Sequence, residues 1–223
     1  MILALETSTQ WGSVALIKDQ KILAEESSNQ QKSHSELINP MIDSCMKKAN
    51  AKFSDVTLIA TGYGPGSFTG IRVAGNAAKS LAYTLKNPLF ALDSLYLLAE
   101  QARPKAQVLK LPVLSMINAY KNMVYYGLYD MSGDLPKALM PVSVVPVRNL
   151  LQTIQSDKFL VVGDGYNAYR DYFSEDFAKK IYRENPSQDF PLAKTLGLLS
   201  EKLANGDCNT SADKVNLLPI LLI

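Results

Sequence analysis

A pattern of three strands, a helix and a fourth strand occurs twice along the chain, about half its length apart, and this repeat most constrains the fold. The clearest trace of it is the likeness of DVTLIATGYG (residues 55–64) to DKFLVVGDGY (residues 157–166). Apolar runs predict strands at residues 2–5, 11–17, 21–24 and 58–60 in the first half and 113–117, 124–129, 142–145 and 159–162 in the second. The repeat predicts an α/β fold of two similar halves, each with its own sheet and covering helices.

The domain organisation follows from this repeat. A chain of 223 residues can fold as one large or two small domains without disulfides. We expect one domain over residues 1–105 and another over 106–223, joined by a linker at Arg103-Pro104-Lys105. A final helix is predicted over residues 191–205, with Gly206 as the C′ residue that follows it, and it either stays with the second domain or packs back on the first.

Charge and apolar content exclude several functions. Lys and Arg total 23 against 21 Asp and Glu, and the densest basic pairs are Lys47-Lys48 and Lys179-Lys180. Charge alone therefore predicts no nucleic-acid binding, and any RNA would have to be held by a partner. No apolar run approaches the roughly 20 residues of a membrane span, and the start MILALETST resembles a strand more than a signal peptide. We expect a cytoplasmic protein.

Metal and thiol chemistry is also restricted. The two cysteines, Cys45 and Cys208, form no CxxC pair, which excludes a disulfide scaffold or zinc ribbon and fits a reducing compartment. His34 is the single histidine, so a His-rich metal site cannot be built. It lies at a predicted helix start, next to the S-x-x-E capping box of Ser33 and Glu36. Pro40 either bends this helix or, with Asn39, marks its true start.

The segment GPGSFTG (residues 64–70) joins a predicted strand to a predicted helix. Free backbone N–H groups and the helix dipole attract anions there, which makes Gly64, Gly66 and Ser67 candidate phosphate-binding residues. It matches neither a P-loop nor a dinucleotide fingerprint. The other interpretation is that the glycines only supply the positive φ that a tight turn requires.

Carboxylates follow predicted strands in both halves. Glu6, Thr7 and Ser8 come after the first strand, where a carboxylate and hydroxyls can hold a nucleotide phosphate through a metal. Asp164 lies between two glycines after a strand of the second half and could orient a ligand or metal. Ordinary turn chemistry is the favoured interpretation of both segments, since Ser, Thr and Asp are common in turns.

Small residues line one face of the helix that follows the glycine segment. Gly70, Ala74 and Ala78 are spaced four apart, with Ala77 beside them. Such a face lets another helix approach closely, either in an oligomer or within the same chain against the sheet.

Three segments resemble the bacterial TsaB (YeaZ) family of the tRNA threonylcarbamoyladenosine pathway. They are ILALETSTQWGSVAL (residues 2–16), HSELINPMI (34–42) and GPGSFTGIRVAGNAAKSLA (64–82). The resemblance implies an actin-like, sugar-kinase-like duplicated fold. It also implies a non-catalytic subunit that pairs with a catalytic paralogue, TsaD, and is joined by an ATPase, TsaE. No cofactor of its own is implied beyond ATP or ADP at the shared interface.

The same resemblance implies that the catalytic metal site is missing. TsaD-like enzymes carry an H-x-x-x-H motif after the strand that follows the glycine-segment helix. In PLFALDSLYLLA (residues 88–99), Ser94 and Leu98 stand at those positions. Leu cannot ligate a metal and Ser is a poor ligand, so neither an iron nor a zinc centre is expected.

The chain departs from the family pattern at three places. Asn118-Ala119-Tyr120 replaces Asp-Ala-Arg, the end reads Pro219-Ile220-Leu221-Leu222-Ile223, and Glu6 replaces Asp. If these positions contact nucleotide or the third subunit, those contacts are altered.

The working hypothesis is a scaffold subunit that uses one two-fold or pseudo-two-fold surface for a homodimer and for the TsaD heterodimer. The predicted interface residues are His34, Leu37, Met41, Gly70, Val73, Ala74, Ala77 and Ala78. The alternative is a small-molecule phosphotransferase that uses Glu6 or Asp164 at a metal. A metallopeptidase, the third hypothesis, is disfavoured by the missing histidine pair.

Overall fold

A computed structural model describes residues 1–29, 34–154, 156–183, 189–204 and 217–218. The strands are β1 (Ile2–Glu6), β2 (Gly12–Lys18), β3 (Lys21–Ser28), β4 (Leu58–Gly62), β5 (Leu89–Leu92), β6 (Val113–Asn118), β7 (Met123–Asp130), β8 (Lys137–Ala138), β9 (Ser143–Pro146), β10 (Phe159–Val162), β11 (Ile181–Tyr182) and β12 (Leu217–Leu218). The helices are α1 (His34–Lys48), α2 (Phe68–Leu85), α3 (Ser94–Leu109), α4 (Leu150–Thr153), α5 (Asp164–Tyr169), α6 (Glu175–Lys180) and α7 (Ala193–Ala204). None of these helices is long and apolar enough to cross a bilayer.

The chain divides into two compact units. The first consists of Met1–Ser94 and the described part of Leu192–Ile223, and the second of Leu95–Pro191. The sheet of the first unit has the order β12-β5-β4-β1-β2-β3. Within it, β1 is antiparallel to β2 and parallel to β4, so the first strand lies at the centre.

Both faces of the first sheet are covered, which explains why β1 is one continuous apolar run. Leu3 and Leu5 point to the face that packs on α1 and α2. Ala4 points to the other face, where a Cβ on Gly197 of α7 would lie 3.3 Å from the Ala4 Cβ. Because side chains alternate along a strand, residues 2–5 of β1 point in turn to the two covered faces, and all four are apolar.

The sheet of the second unit has the order β11-β10-β6-β7-β8, and β9 also pairs with β7. Its first strand, β6, is antiparallel to β7 and parallel to β10, as β1 is to β2 and β4. The two units therefore repeat one topology, and the predicted duplicated α/β fold is confirmed.

The predicted linker at Arg103-Pro104-Lys105 is wrong. Helix α3 continues from Ser94 to Leu109 with Pro104 inside it. Ala102 and Ala106, on either side of Pro104, are buried in the second unit's core. Burial of these two alanines stabilises the helix on both sides of Pro104, although a proline usually predicts the end of a helix. The units divide between Ser94 and Leu95, at the first residue of this helix, and not at residue 105.

Helix α7 completes the first unit from the far end of the chain. The Ala193 N–H donates to Ser13 Oγ at 2.8 Å, and the Asp19 N–H donates to Glu201 at 2.9 Å. Gly197 permits the close contact, because a Cβ there would lie 2.4 Å from the Ile17 side chain.

Two details of the first helix can be compared with the sequence. Helix α1 begins by His34 and includes Pro40, so a start at Asn39-Pro40 is wrong. Several residues of the sequence predictions lie outside the described residues. They are Ser33 of the capping box, Gly206, Cys208 and the chain end at 219–223.

Candidate functional site

The carboxylate of Glu6, at the end of β1, is fully buried. Its Oε1 accepts the Ser8 N–H at 2.6 Å, and its Oε2 accepts the Ser94 hydroxyl at 3.4 Å. Gly62 at the end of β4 lies directly against it, since a Cβ there would be 1.7 Å from Oε2. The glycine is required by this close approach. The carboxyl group is thus enclosed by the ends of neighbouring strands of one sheet.

Burial sets the protonation of this group. Loss of hydration raises the pKa of Glu6 from 4.5 to about 7, against the lowering effect of its hydrogen bonds from Ser8 and Ser94. The negative charge of Asp93 raises the pKa further. The folded chain therefore holds the proton of Glu6 to a higher pH than an exposed carboxyl group would.

Thr7 connects this turn to the start of α2. Its buried hydroxyl donates to the Gly70 carbonyl at 2.6 Å and accepts the Ala74 N–H at 3.2 Å. A Cβ on Gly70 would lie 1.9 Å from the Thr7 carbonyl oxygen, so only glycine lets the helix approach so closely. The turn after β1 and the first turns of α2 form one packed structure.

Replacing Thr7 with Val should destabilise the protein by about 1–3 kcal/mol, because a methyl group would replace a buried hydroxyl that bonds to α2. Urea unfolding measures the effect. The matched control is Thr69→Val in the same helix, whose side chain is exposed and should change stability by less than about 0.5 kcal/mol. Equal effects at the two positions would contradict the role given to the Thr7 hydroxyl.

The glycine segment packs on the same turn. Gly64 has φ +90°, as a tight turn requires, and a Cβ on Gly66 would lie 2.0 Å from the Ser8 carbonyl oxygen. The Ser67 N–H donates to that carbonyl at 2.6 Å, and Ser67 Oγ caps α2 by accepting the Gly70 N–H at 3.2 Å. These contacts use donors that an anion would need. The Ser8 hydroxyl is buried without a partner in the described part of the chain.

The structure therefore brings together six of the seven predicted phosphate residues, all in the first unit. They are Glu6, Thr7, Ser8, Gly64, Gly66 and Ser67. Two hydrogen bonds join members of this set, from the Ser8 N–H to Glu6 and from the Ser67 N–H to the Ser8 carbonyl. Nucleotide binding by this turn stays a prediction.

Asp164, the seventh residue, belongs to the second unit and begins α5. Its Oδ1 accepts the Asn118 N–H at 3.0 Å, which ties the end of β6 to this helix. Burial raises the pKa of Asp164 to about 6, and the nearby Asp189 adds to the rise. These contacts give Asp164 a structural task at the end of its sheet.

The small-residue face of α2 is covered by its own sheet. Gly70, Ala74 and Ala78 are buried, and the two alanines belong to the core formed with Leu3 and Leu5. The prediction that these three residues contact a partner is wrong, and the alternative, packing within the chain, is correct. Because Ala74 has no exposed surface, Ala74→Arg would test folding and not association.

Four other predicted interface residues keep some exposed surface: Leu37, Met41, Val73 and Ala77. Val73 and Ala77 line a groove of about 560 Å³ between α1 and α2. Its apolar lining is completed by Ile38, Ile42, Phe53 and Leu81.

His34, the eighth interface residue, is engaged by its own chain. Its Nε2 lies 2.8 Å from the Thr9 carbonyl oxygen, and since a carbonyl only accepts, Nε2 carries the proton. The ring packs on Gly12, where a Cβ would lie 2.8 Å from Nδ1. His34 thus fastens the start of α1 to the turn between β1 and β2.

Sequence reasoning missed Gly62 and Ser94 as neighbours of Glu6. A signal for them was present, because β1, β4 and β5 run parallel and residues after such strands meet at one sheet edge. Gly62 and Ser94 both lie at or just after those ends.

Comparison with known proteins first defines the class. The family model TsaD, tRNA N6-adenosine threonylcarbamoyltransferase, matches residues 21–219. The fold is also similar to an inorganic polyphosphate/ATP-glucomannokinase from Arthrobacter sp. (TM-score 0.52, 10% identity, 92% of this chain and 98% of that one). The class is that of duplicated actin-like, sugar-kinase-like α/β proteins, as the sequence predicted.

More similar proteins narrow this class. The tRNA threonylcarbamoyladenosine biosynthesis protein TsaB of Buchnera aphidicola subsp. Schizaphis graminum is 33% identical, over 83% of this chain and 82% of that protein. The solved structure of YeaZ from Pseudomonas aeruginosa superposes with TM-score 0.78 at 26% identity, covering 99% of both chains. The chain belongs to the TsaB (YeaZ) family, whose relatives are named for tRNA threonylcarbamoyladenosine biosynthesis. The predicted family is confirmed.

Proposed function

We propose that this chain is a non-catalytic subunit of the complex that transfers a threonylcarbamoyl group to adenosine of tRNA. It acts by pairing with a TsaD-like catalytic paralogue, and a TsaE-like ATPase joins the pair. The observation that carries the proposal is the environment of the two residues that stand at the histidine positions of the resemblance, Ser94 and Leu98. Membership of the TsaB family supports the pathway.

Neither of those two residues can serve a metal. The Ser94 hydroxyl is buried and donates to the Glu6 carboxylate within the first unit. Leu98 is fully buried in an apolar cluster of the second unit with Leu95, Ala102 and Ile117. Both side chains have become parts of the packed interior, so the chain depends on a partner for the chemistry.

The groove between α1 and α2 is the proposed contact surface for the paralogue. The TsaD family model covers both of these helices, so a TsaD-like partner would present a similar pair of helices. Two such pairs can pack about a pseudo-two-fold axis, and a second copy of this chain can take the same place.

Charges on the two helices favour this arrangement. Exposed Glu36 and Asp43 lie seven residues apart on α1, where Asp43 also pairs with Lys47, and exposed Arg72 and Lys79 lie seven residues apart on α2. A seven-residue spacing is about two helical turns, so each pair lies along one side of its helix. When α1 of one copy meets α2 of another, acids face bases, which favours the isologous pairing.

Binding to the paralogue would stabilise its active conformation, since a ligand shifts an equilibrium toward the state it binds better. ATP or ADP belongs, in this proposal, to the assembled complex and not to this chain alone.

Replacing Ala77 with Arg should abolish pairing while the protein stays folded. Ala77 lines the groove and is only half-buried, so a long cation there blocks an opposing helix without entering the core. We expect at least tenfold less tagged chain to co-purify with the organism's TsaD-like protein, and sedimentation to show loss of any homodimer.

Val108→Arg is the matched control, because Val108 is 77% exposed on α3 of the second unit. It should co-purify like the original chain. Equal co-purification of the Ala77 variant would overturn the proposed surface. Formation of modified tRNA by the purified chain alone would overturn the non-catalytic role.

A further inference from the structure

The second unit contains a pocket of about 340 Å³ that the proposed pairing does not use. The turn between β6 and β7 supplies Lys121 and Asn122, and the 3₁₀ turn after β9 supplies Arg148 and Asn149. Tyr172 completes the lining. Two cations, two amides and a phenol thus surround one cavity.

The positive charges of the two cations are not neutralised by an ion pair among the described residues. Lys121 and Arg148 are exposed, and neither takes part in an ion pair within the part of the chain that the structure describes. The acid next to Tyr172, Asp171, pairs with Arg170 at 3.4 Å. The pocket is therefore electropositive and suited to an anion with several oxygens, since Arg and Lys are the usual phosphate-binding side chains.

The backbone holds these groups in place. Tyr120, Lys121 and Asn122 all have φ between 49° and 59°, the left-handed region that non-glycine residues seldom occupy. The Tyr120 N–H donates to Asn118 Oδ1 at 2.8 Å, and the Val147 N–H donates to the Asn122 carbonyl at 2.9 Å. The second bond joins the two cation-bearing turns, so Lys121 and Arg148 are carried by one connected framework.

Aromatic and apolar surface accompanies the charge. Tyr172 is 57% exposed, and Met123, Pro146 and Val147 form the apolar part of the lining. An exposed aromatic ring beside phosphate-binding cations is the arrangement by which proteins hold unpaired nucleotides, with the base stacked and the backbone neutralised.

We propose that this pocket binds the phosphodiester backbone of single-stranded RNA through Lys121 and Arg148, with a base stacked on Tyr172. The inference rests on the proposed function, because the substrate of that pathway is a tRNA. It differs from the sequence prediction that tRNA is held only by a partner. Two phosphate contacts give weak binding. Weak binding suits a subunit that increases the affinity of its partner for RNA.

The test is fluorescence anisotropy of a labelled 12-nucleotide single-stranded RNA with the full chain. For two phosphate contacts, affinity should fall about sevenfold between 50 and 200 mM salt, a log–log slope of about −1.4. Lys121→Gln with Arg148→Gln should remove this slope and weaken binding about tenfold at low salt. Tyr172→Ala should weaken binding about tenfold without changing the slope.

The matched control removes the same charge elsewhere in the second unit. Lys137 in β8 and Lys158 before β10 are exposed at the opposite end of the sheet from the β6–β7 turn. Lys137→Gln with Lys158→Gln should bind RNA as the original chain does. Equal losses in both double variants would overturn the site, since binding would then reflect net charge.

Competition separates RNA from smaller phosphates. If ATP or inorganic phosphate displaces the RNA when the competitor is present at a low-micromolar concentration, the pocket is a site for small phosphate ligands. The RNA assignment is then wrong. The Lys121 and Arg148 double variant should still co-purify with the TsaD-like protein. Failure of the original chain to co-purify refutes the pairing, whereas failure to bind RNA refutes only this inference.

Discussion

Replacing Gly70 with Ala is expected to destabilise the protein by about 3 kcal/mol, although the substitution adds one methyl group to a helix. That methyl would lie 1.9 Å from the Thr7 carbonyl oxygen, so the turn or α2 must move. Overpacking of this kind costs about 1–3 kcal/mol and sometimes more, and here it opposes backbone. Urea unfolding followed by circular dichroism measures the change.

Gly75→Ala is the control with identical chemistry in the same helix. A Cβ at Gly75 has nothing within 4 Å, so the change should stabilise the protein by about 0.5–1 kcal/mol through helix propensity. Opposite signs at the two glycines would show that one face of α2 is closed by the sheet. Stabilisation by both changes would contradict the packing described for Gly70.

Replacing Glu6 with Gln is expected to flatten the dependence of stability on pH. The pKa of Glu6 is about 7 in the folded chain and 4.5 as its ordinary value. Between pH 4.5 and 7 the folded state retains a proton that the unfolded state has lost. Stability from this group is therefore complete below pH 4.5, declines as pH rises and is lost above pH 7, a change of about 3 kcal/mol.

Unfolding by urea at a series of pH values checks this prediction. Gln keeps an acceptor for the Ser8 N–H but cannot ionise, so the decline up to pH 7 should disappear in that variant. Asp164→Asn is the comparison, since the pKa of Asp164 is raised only to about 6 and its window is 3.8 to 6. An unchanged profile in the Glu6 variant would mean that the carboxyl group is already ionised in the folded chain.

Much of the fold was predictable because its strands are buried on both sides. The runs at 2–5, 89–92 and 159–162 are apolar at every position, and their bounds differ little from those of β1, β5 and β10. The linker at residues 103–105 was mispredicted because Pro104 is a local break signal. The burial of Ala102 and Ala106 that overrides it depends on contacts with distant strands.

The candidate sites were harder to predict for a different reason. The small-residue face of α2 has the same spacing whether it packs on a partner or on its own sheet. The spacing of Gly70, Ala74 and Ala78 therefore does not indicate which surface buries them. Likewise Glu6 has the same place in the sequence whether it faces a ligand or is enclosed by Gly62. The residues that line the pocket of Lys121 and Arg148 are far apart in sequence, so no run of basic residues predicts it.

The position of α7 has a consequence for synthesis on the ribosome. The first 94 residues emerge early, yet Ala4 and Ile17 remain uncovered on one face until Gly197 has been translated. Because domains fold as they leave the tunnel, the second unit can be complete before the first one is closed. During that interval the nascent chain presents an open apolar sheet, the kind of surface that chaperones bind, and a message truncated before codon 192 would leave it exposed permanently.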